Sequence, residues 1–207
     1  LLDMGIKDFR VLDALGQVSR HIFLDEALWS RAYENMALTI GYKQTISQPY
    51  IVARMTEHLI SHTSRRGKVL NQVLEIGSGC GYQSAVLSHF ANDVFAVERI
   101  KPLVLKSREN LRDLKIRNVE VKHANGFDGW EDNKKFDGII CAAAPRKYPE
   151  ELLELLEIGG KLVIPAGNEG EQKLYVITKI SDTENEEIIH EDVAFVPMLP
   201  GISNGEI

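Results

Sequence analysis

The densest chemistry in the 207-residue chain lies in the run Val73-Leu74-Glu75-Ile76-Gly77-Ser78-Gly79-Cys80-Gly81-Tyr82. An apolar strand runs into three glycines at alternate positions and then directly into a helix. Glycine there lets the backbone turn sharply and approach a ligand with no Cβ in the way. A dinucleotide fingerprint, G-x-G-x-x-G, would need glycine at position 82, where this chain has Tyr82. The pattern present is G-x-G-x-G, with Glu75 two positions before the first glycine. Glu98 ends the next apolar run, Val94-Phe95-Ala96-Val97-Glu98, 21 residues after Gly77. A carboxylate at that strand end can accept from both hydroxyls of a ribose. Glycines alone would suit any tight strand–helix turn, and a lone strand-end glutamate would suit solvent. Strand, turn, helix, strand and acid in that order argue for a ligand.

This arrangement is the one associated with S-adenosylmethionine, whose transfer product is S-adenosylhomocysteine. Such a ligand has no pyrophosphate for a helix N-terminus to cradle. It has a zwitterionic amino-acid end, which suits backbone amides for the carboxylate and nearby acceptors for the ammonium. Two further segments belong with it: Ala124-Asn125-Gly126-Phe127 and Cys141-Ala142-Ala143-Ala144-Pro145 follow the third and fourth strands. The expected cofactor-binding set is therefore Glu75, Gly77, Ser78, Gly79, Cys80, Gly81, Glu98, Asn125, Gly126 and Ala142.

These residues need a sheet whose strand ends open on one crevice, the usual ligand position in open α/β sheets. From about residue 72 onward, β-branched runs alternate with helical stretches, the pattern of βαβ units. Strands are expected at Val73–Ile76, Val94–Glu98, Val119–Lys122, Phe136–Cys141, Lys161–Pro165, Lys173–Ile180 and Ile188–Val196, and helices at Tyr82–Phe90, Pro102–Leu114 and Pro149–Glu157. Pro102 and Pro149 suit first helical turns, and Gly159-Gly160 suits a left-handed C-cap. The polar stretch Ser181–Glu187 predicts an antiparallel hairpin at the sheet edge. Residues 1–66 read mainly as helix and loop. The expected fold class is α/β: one domain, 1–207, with a helical N-terminal cap over residues 1–66. Its core, 72–207, is Rossmann-like, a doubly wound, mostly parallel seven-stranded sheet of the class I methyltransferase type.

Composition narrows the partners. The net charge is −6 with dispersed basic residues, whereas a nucleic-acid grip needs a basic stripe. Arg65-Arg66-Gly67-Lys68 is the one tight basic cluster and reads as a solvated connection. No apolar run approaches the roughly 20 residues of a membrane span. The opening stretch, with Asp3, Lys7, Asp8 and Arg10, does not read as a signal peptide. Two cysteines, Cys80 and Cys141, imply no disulfide framework, and a cytoplasmic setting is expected.

The segment Gly41-Tyr42-Lys43-Gln44-Thr45-Ile46-Ser47-Gln48-Pro49-Tyr50-Ile51-Val52-Ala53 resembles the signature of the protein-L-isoaspartate (D-aspartate) O-methyltransferases, which carry a T-I-S-x-P stretch ahead of the glycine loop. The likeness continues through Arg20-His21-Ile22-Phe23, Val97-Glu98-Arg99-Ile100, Phe136-Asp137-Gly138-Ile139-Ile140, Gly159-Gly160-Lys161-Leu162-Val163-Ile164-Pro165 and Phe195-Val196-Pro197. The resemblance implies methyl transfer to the free carboxylate of L-isoaspartyl residues in damaged proteins or peptides. The ester then collapses to a succinimide that can reopen to aspartate. It implies a catalytic Ser47 that holds the acceptor carboxylate, and a substrate-binding set of Thr45, Ile46 and Ser47. Isoaspartyl proteins and peptides are the expected partners of a monomer, with neither nucleic acid, membrane nor metal. On the residues alone, Ser47 is equally suited to lead into or cap a helix that starts at Pro49.

Three positions depart from the family pattern. Asn125 stands where aspartate is usual, which predicts weaker cofactor affinity, and Asn125-Gly126 is itself a deamidation-prone pair. Thr39 replaces a common proline and Lys43 a common glycine. Two rival functions remain: the same fold acting on another acceptor, and a cofactor-binding module without catalysis. His58 and His62 are spaced to share a helix face but lack a third ligand at suitable spacing. His21, His89, His123 and His190 are scattered, and Cys80 and Cys141 read as packed side chains beside the cofactor.

Overall fold

The computed structural model describes residues 1–61, 63, 67–130 and 134–205. Helix α1 (Phe9–Gln17) starts at Asp8, whose carboxylate accepts from the Arg10 N–H as an N-cap. Val11 and Ala14, three apart, turn to the core. A two-stranded antiparallel hairpin follows, β1 (Leu38–Gly41) and β2 (Gln44–Ile46), in a segment whose sequence reads as helix and loop. Leu38, Ile40 and Ile46 bury their side chains, and so few apolar positions give no visible alternation.

Helix α2 (Pro49–Ile60) has its proline in the first turn, where a missing N–H leaves no bond unmade. It packs on α1 and on two strands of the main sheet. That sheet contains β3 (Leu70–Ile76), β4 (Ala91–Glu98), β5 (Val119–His123), β6 (Phe136–Cys141), β7 (Leu156–Ala166), β8 (Gln172–Lys179) and β9 (Asn185–Val193). Helices α3 (Tyr82–Leu87), α4 (Lys101–Asp113) and α5 (Glu151–Glu154) connect the parallel strands. The order β5-β4-β3-β6-β7-β8-β9 makes it a seven-stranded sheet. Only β8 runs against the rest, since β7–β8 and β8–β9 are its antiparallel pairs. The chain reverses its direction of travel across the sheet between β3 and β6, so the carboxyl ends of these strands flank the switch point.

The sheet's two faces are unequally covered. One packs Val73, Val94, Ala96, Ile140 and Val163 against apolar residues of α1 to α4. The other packs Leu74, Phe95, Phe136, Ile139 and Leu162 against Trp130, Leu152, Leu156 and Met198. Alternate residues of one strand reach opposite faces, and both are dry, which explains why the central strands read as continuous apolar runs.

Several boundaries differ from the sequence expectation. Helix α3 stops at Leu87 instead of Phe90, and β4 begins at Ala91. The helix expected over Pro149–Glu157 shrinks to Glu151–Glu154, so Pro149 precedes it. Gly159-Gly160 does not cap that helix; both lie in β7, where Phe136 pairs with Leu156 but Gly138 with Lys161. Gly159 is left-handed there (φ 86°), and a side chain on Gly160 would strike the Phe136 carbonyl oxygen at 3.0 Å. The left-handed turn exists, but it relieves a bulge. Strand β9 ends at Val193 rather than Val196, because the chain then leaves the edge: the Val196 carbonyl accepts from the Ala144 N–H at 2.8 Å. Among the described residues, no helix is long and apolar enough to cross a membrane.

Candidate active site

A crevice of about 860 Å³, counting space open to solvent, lies at the carboxyl ends of β3, β4 and β6. Its wall includes Glu75, Gly77, Ser78, Gly79, Cys80, Glu98, Gly126 and Ala142 from the expected cofactor set, and Thr45, Ile46 and Ser47 from the expected substrate set. Gly81 and Asn125 are not on it. Gly81 sits behind the wall as the left-handed N-cap of α3. The Asn125 side-chain oxygen accepts from the Phe127 N–H (3.4 Å) and the Gly201 N–H (3.2 Å), and its amide donates to Asp128 (3.0 Å).

The glycine loop is held by its own backbone. Gly77 and Ser78 donate to the Val97 carbonyl at 2.8 and 3.2 Å, and Gly81 donates to that of Ser78 at 2.7 Å. Glu98 fixes the loop to β4: Oε2 accepts from the Gly79 N–H and Oε1 from the Ile100 N–H, both at 2.9 Å. Each oxygen keeps acceptor capacity for a further donor. Burial pushes the Glu98 carboxyl up, against the backbone donors that pull it down.

Glu75 is fully buried, and Ser84 donates its hydroxyl to Oε2. Its Oε1 has no partner. Desolvation pushes this carboxyl up to about 8. An orphaned carboxylate oxygen in a dry wall is costly unless a donor arrives, and a bound ammonium would supply one. Together with Glu98 and the exposed loop backbone, the residues fit the amino-acid and ribose parts of S-adenosylmethionine.

The Ser47 segment reaches the same crevice from the β1–β2 hairpin. The N-cap of α2 is Gln48, whose carbonyl accepts from Ile51 and Val52 at 3.0 and 3.2 Å. The half-buried Ser47 hydroxyl makes no cap bond and has no hydrogen-bond partner among the described residues. The hairpin is seated on the glycine loop, since a Cβ on Gly79 would lie 3.1 Å from Ile40 Cδ1.

Burial pushes the Cys80 thiol up to about 11 and the Cys141 thiol up to about 12. Both stay protonated at neutral pH, and neither is in a disulfide. The wall also includes Gln44, Val52, Tyr82, Gln83, Arg99, Ile100 and Ala143, which the expected site sets left out. Each had a signal: Gln44 and Val52 lie in the T-I-S-x-P signature segment, Tyr82 and Gln83 follow the glycine loop, Arg99 and Ile100 follow Glu98, and Ala143 follows Ala142. Val196, Pro197, Met198 and Leu199 close the wall from the carboxyl-terminal side. The Met198 N–H donates to the Ala144 carbonyl at 2.9 Å, which straps this segment across the end of β6. Of the N-terminal helices, α2 contributes Val52 and α1 contributes nothing to the wall.

Residues 1–202 match the family described as protein-L-isoaspartate(D-aspartate) O-methyltransferase. The chain belongs to this family. It is 53% identical over 204 residues to the protein-L-isoaspartate O-methyltransferase of Methylobacillus flagellatus, covering 97% of this chain and 89% of that one. It is 50% identical over 202 residues to protein-L-isoaspartate O-methyltransferase 1 of Marinobacter nauticus, with 98% and 89% covered. Among solved structures, it superimposes with a TM-score of 0.81 on a Plasmodium falciparum protein crystallised with S-adenosyl-L-homocysteine. That protein, described as a putative protein-L-isoaspartate O-methyltransferase, is 29% identical, with 96% and 94% of the chains covered. The seven-stranded fold and the S-adenosylmethionine dependence read from the sequence both stand. The family's reaction is transfer of that methyl group to the free carboxylate of L-isoaspartyl residues, which initiates their repair through a succinimide.

Proposed function

We propose that this member performs the family reaction by alignment rather than by acid–base chemistry, with Ser47 positioning the acceptor. The observation that supports this is the unpartnered Ser47 hydroxyl on a wall shared with Glu75 and Glu98. S-adenosylmethionine, when bound, supplies an activated methyl electrophile on its sulfonium. Glu75 Oε1 would accept from its ammonium and Glu98 from its ribose hydroxyls, and Gly77, Gly79 and Gly126 would let it lie close to the backbone. Asn125 acts from behind, holding the turn that presents Gly126.

An isoaspartyl carboxylate is ionised at neutral pH, so no general base has to remove a proton. Ser47 donates its hydroxyl hydrogen to one carboxylate oxygen and leaves the other free to attack. Thr45 and Ile46 shape the approach, and Val196–Leu199 exclude water from the opposite side. Holding reactants in line supplies about 7–11 kcal/mol in favourable cases. A protonated Cys80 on this wall also matters: a thiolate beside an activated methyl group would compete with the substrate. Isoaspartyl proteins and peptides are the acceptors, and this member acts on them as a monomer.

The test is methyl transfer from labelled cofactor to matched peptides with L-isoaspartate or normal aspartate, using the wild type and Ser47→Ala. We expect transfer only to the isoaspartyl peptide. The variant should lose about 10- to 100-fold in kcat, the worth of one hydrogen bond to a charged group, with cofactor affinity unchanged. Equal kcat in the variant would remove Ser47 from the mechanism.

A further inference from the structure

His58 lies on α2, far along the chain from His190 and Glu191 on the edge strand β9. The fold brings the three together: their candidate ligand atoms all lie within 4.8 Å of one another, and the two imidazole rings are 4.0 Å apart between centroids. His58 Nε2 is buried and has no hydrogen-bond partner. Two imidazoles at this distance without a hydrogen bond between them leave a lone pair or an N–H of each unused.

We propose that His58, His190 and Glu191 form a binding site for a divalent ion of the zinc class, which clamps the edge strand β9 to helix α2. Two imidazole nitrogens and one carboxylate oxygen are a donor set such ions favour, with water completing a tetrahedron. Bonds of about 2.1 Å place tetrahedral ligand atoms about 3.4 Å apart, so small side-chain rotations close the site.

The surroundings supply the outer support that metal sites need. Glu191 Oε1 already accepts from Arg54 Nε at 2.9 Å and from the Tyr50 hydroxyl at 3.3 Å. No described contact uses its Oε2, so one oxygen is oriented while the other is available. Arg54 also donates to Glu57 at 3.0 Å, so its charge is shared with a second carboxylate. The site lies away from the crevice wall and shares no residue with it. Its effect is mechanical: β9 borders one strand only, and the clamp would join it to the helix that follows Ser47.

The sequence offers one other histidine pairing, His58 with His62, which lacks a third ligand at suitable spacing, and His62 lies outside the described residues. That alternative makes the test sharp. Tag-free protein stripped with chelator is titrated with Zn²⁺ alone by calorimetry, and with Co²⁺ alone by visible absorption. We expect one ion per chain, micromolar or tighter binding, and a tetrahedral cobalt spectrum. At 100-fold excess over Kd, the melting temperature should rise by about 5 °C or more. His58→Ala and His190→Gln should each weaken binding at least tenfold, whereas His62→Ala should leave it unchanged. His190 is on the edge strand and partly exposed, so its variant keeps the test valid if His58→Ala does not fold. Absence of binding at 100 μM Zn²⁺ overturns the proposal. So does binding that survives His190→Gln, or binding lost in His62→Ala alone.

Discussion

The glycine loop and the β1–β2 hairpin meet at one crevice, and the loop and the hairpin's turn both hold residues in left-handed backbone. In the loop, every such position is glycine: Gly77, Gly79 and Gly81 have φ of 84°, 52° and 91°. In the turn, Tyr42 and Lys43 take φ of 53° and 56°, values that β-hairpin turns favour but side chains resist. Space separates the two. A Cβ on Gly81 would lie 2.6 Å from Ser107 Oγ, whereas the Tyr42 and Lys43 side chains are exposed. Strain that solvent can accommodate is tolerated in the turn; strain compounded by a collision is not tolerated at Gly81.

The largest effect should come from breaking the loop. Gly81→Ala combines left-handed strain with the Ser107 clash and should destabilise the fold by about 2–4 kcal/mol. Urea unfolding would show it; a loss under 1 kcal/mol would mean that the loop has the same slack as the turn. Glu98→Gln comes next. It replaces an acceptor oxygen with a donor facing either the Gly79 or the Ile100 N–H, and it removes the charge beside the ribose. Cofactor affinity should fall about 30-fold, from a loss of about 2 kcal/mol, with calorimetry as the readout.

Glu75 adds a pH dependence that the turn lacks. Its folded-state pKa is raised from 4.5 to about 8. Its contribution to the stability of the cofactor-free protein is therefore full at pH values below the unfolded pKa and is lost as pH rises through about 8. A cofactor ammonium favours the ionised form, so binding releases a proton. Affinity should climb from pH 6 to about 7.5, above which an α-amino group begins to lose its own charge. Glu75→Gln should flatten that climb and cost about tenfold in affinity at pH 7.5. A wild-type affinity independent of pH would place the ammonium away from Glu75.

The comparison also shows why the sequence was legible where it was. The order of strand, glycines, helix, strand and acid follows from local backbone demands, and each demand leaves a residue type behind. The hairpin leaves almost none: its few buried apolar residues, Leu38, Ile40 and Ile46, owe their burial to packing on distant elements. The extended run that sequence continues to Val196 breaks at Val193 because Ala144, about fifty residues earlier, pairs with the departing chain. Asn125 was placed near the ligand by its neighbours in sequence, but the fold turns its oxygen toward Gly201. Gly159-Gly160 was read as a left-handed helix end but lies in β7, since a bulge and a C-cap demand the same backbone. His58 and His190 could not be paired from spacing at all. Only the placement of β9 beside α2 joins them.

The smallest effect tests the turn itself. Lys43 stands where glycine is common in the family resemblance, at φ 56° and exposed. A lysine there bears left-handed strain of about 1 kcal/mol, and glycine would remove it. Glycine also gains freedom in the unfolded chain, which offsets part of the benefit. The net expectation for Lys43→Gly is a stabilisation of about 0.5 kcal/mol, read from the denaturant midpoint at constant slope. Because the hairpin carries Ser47 and seats Ile40 on the glycine loop, a better turn should not alter cofactor affinity. It should leave kcat unchanged as well if the hairpin is already in its working position. A lower KM for acidic peptides in the wild type than in Lys43→Gly would instead show that the lysine is retained for its charge. Loop and turn would then both be shaped by what they bind, one through space and the other through electrostatics.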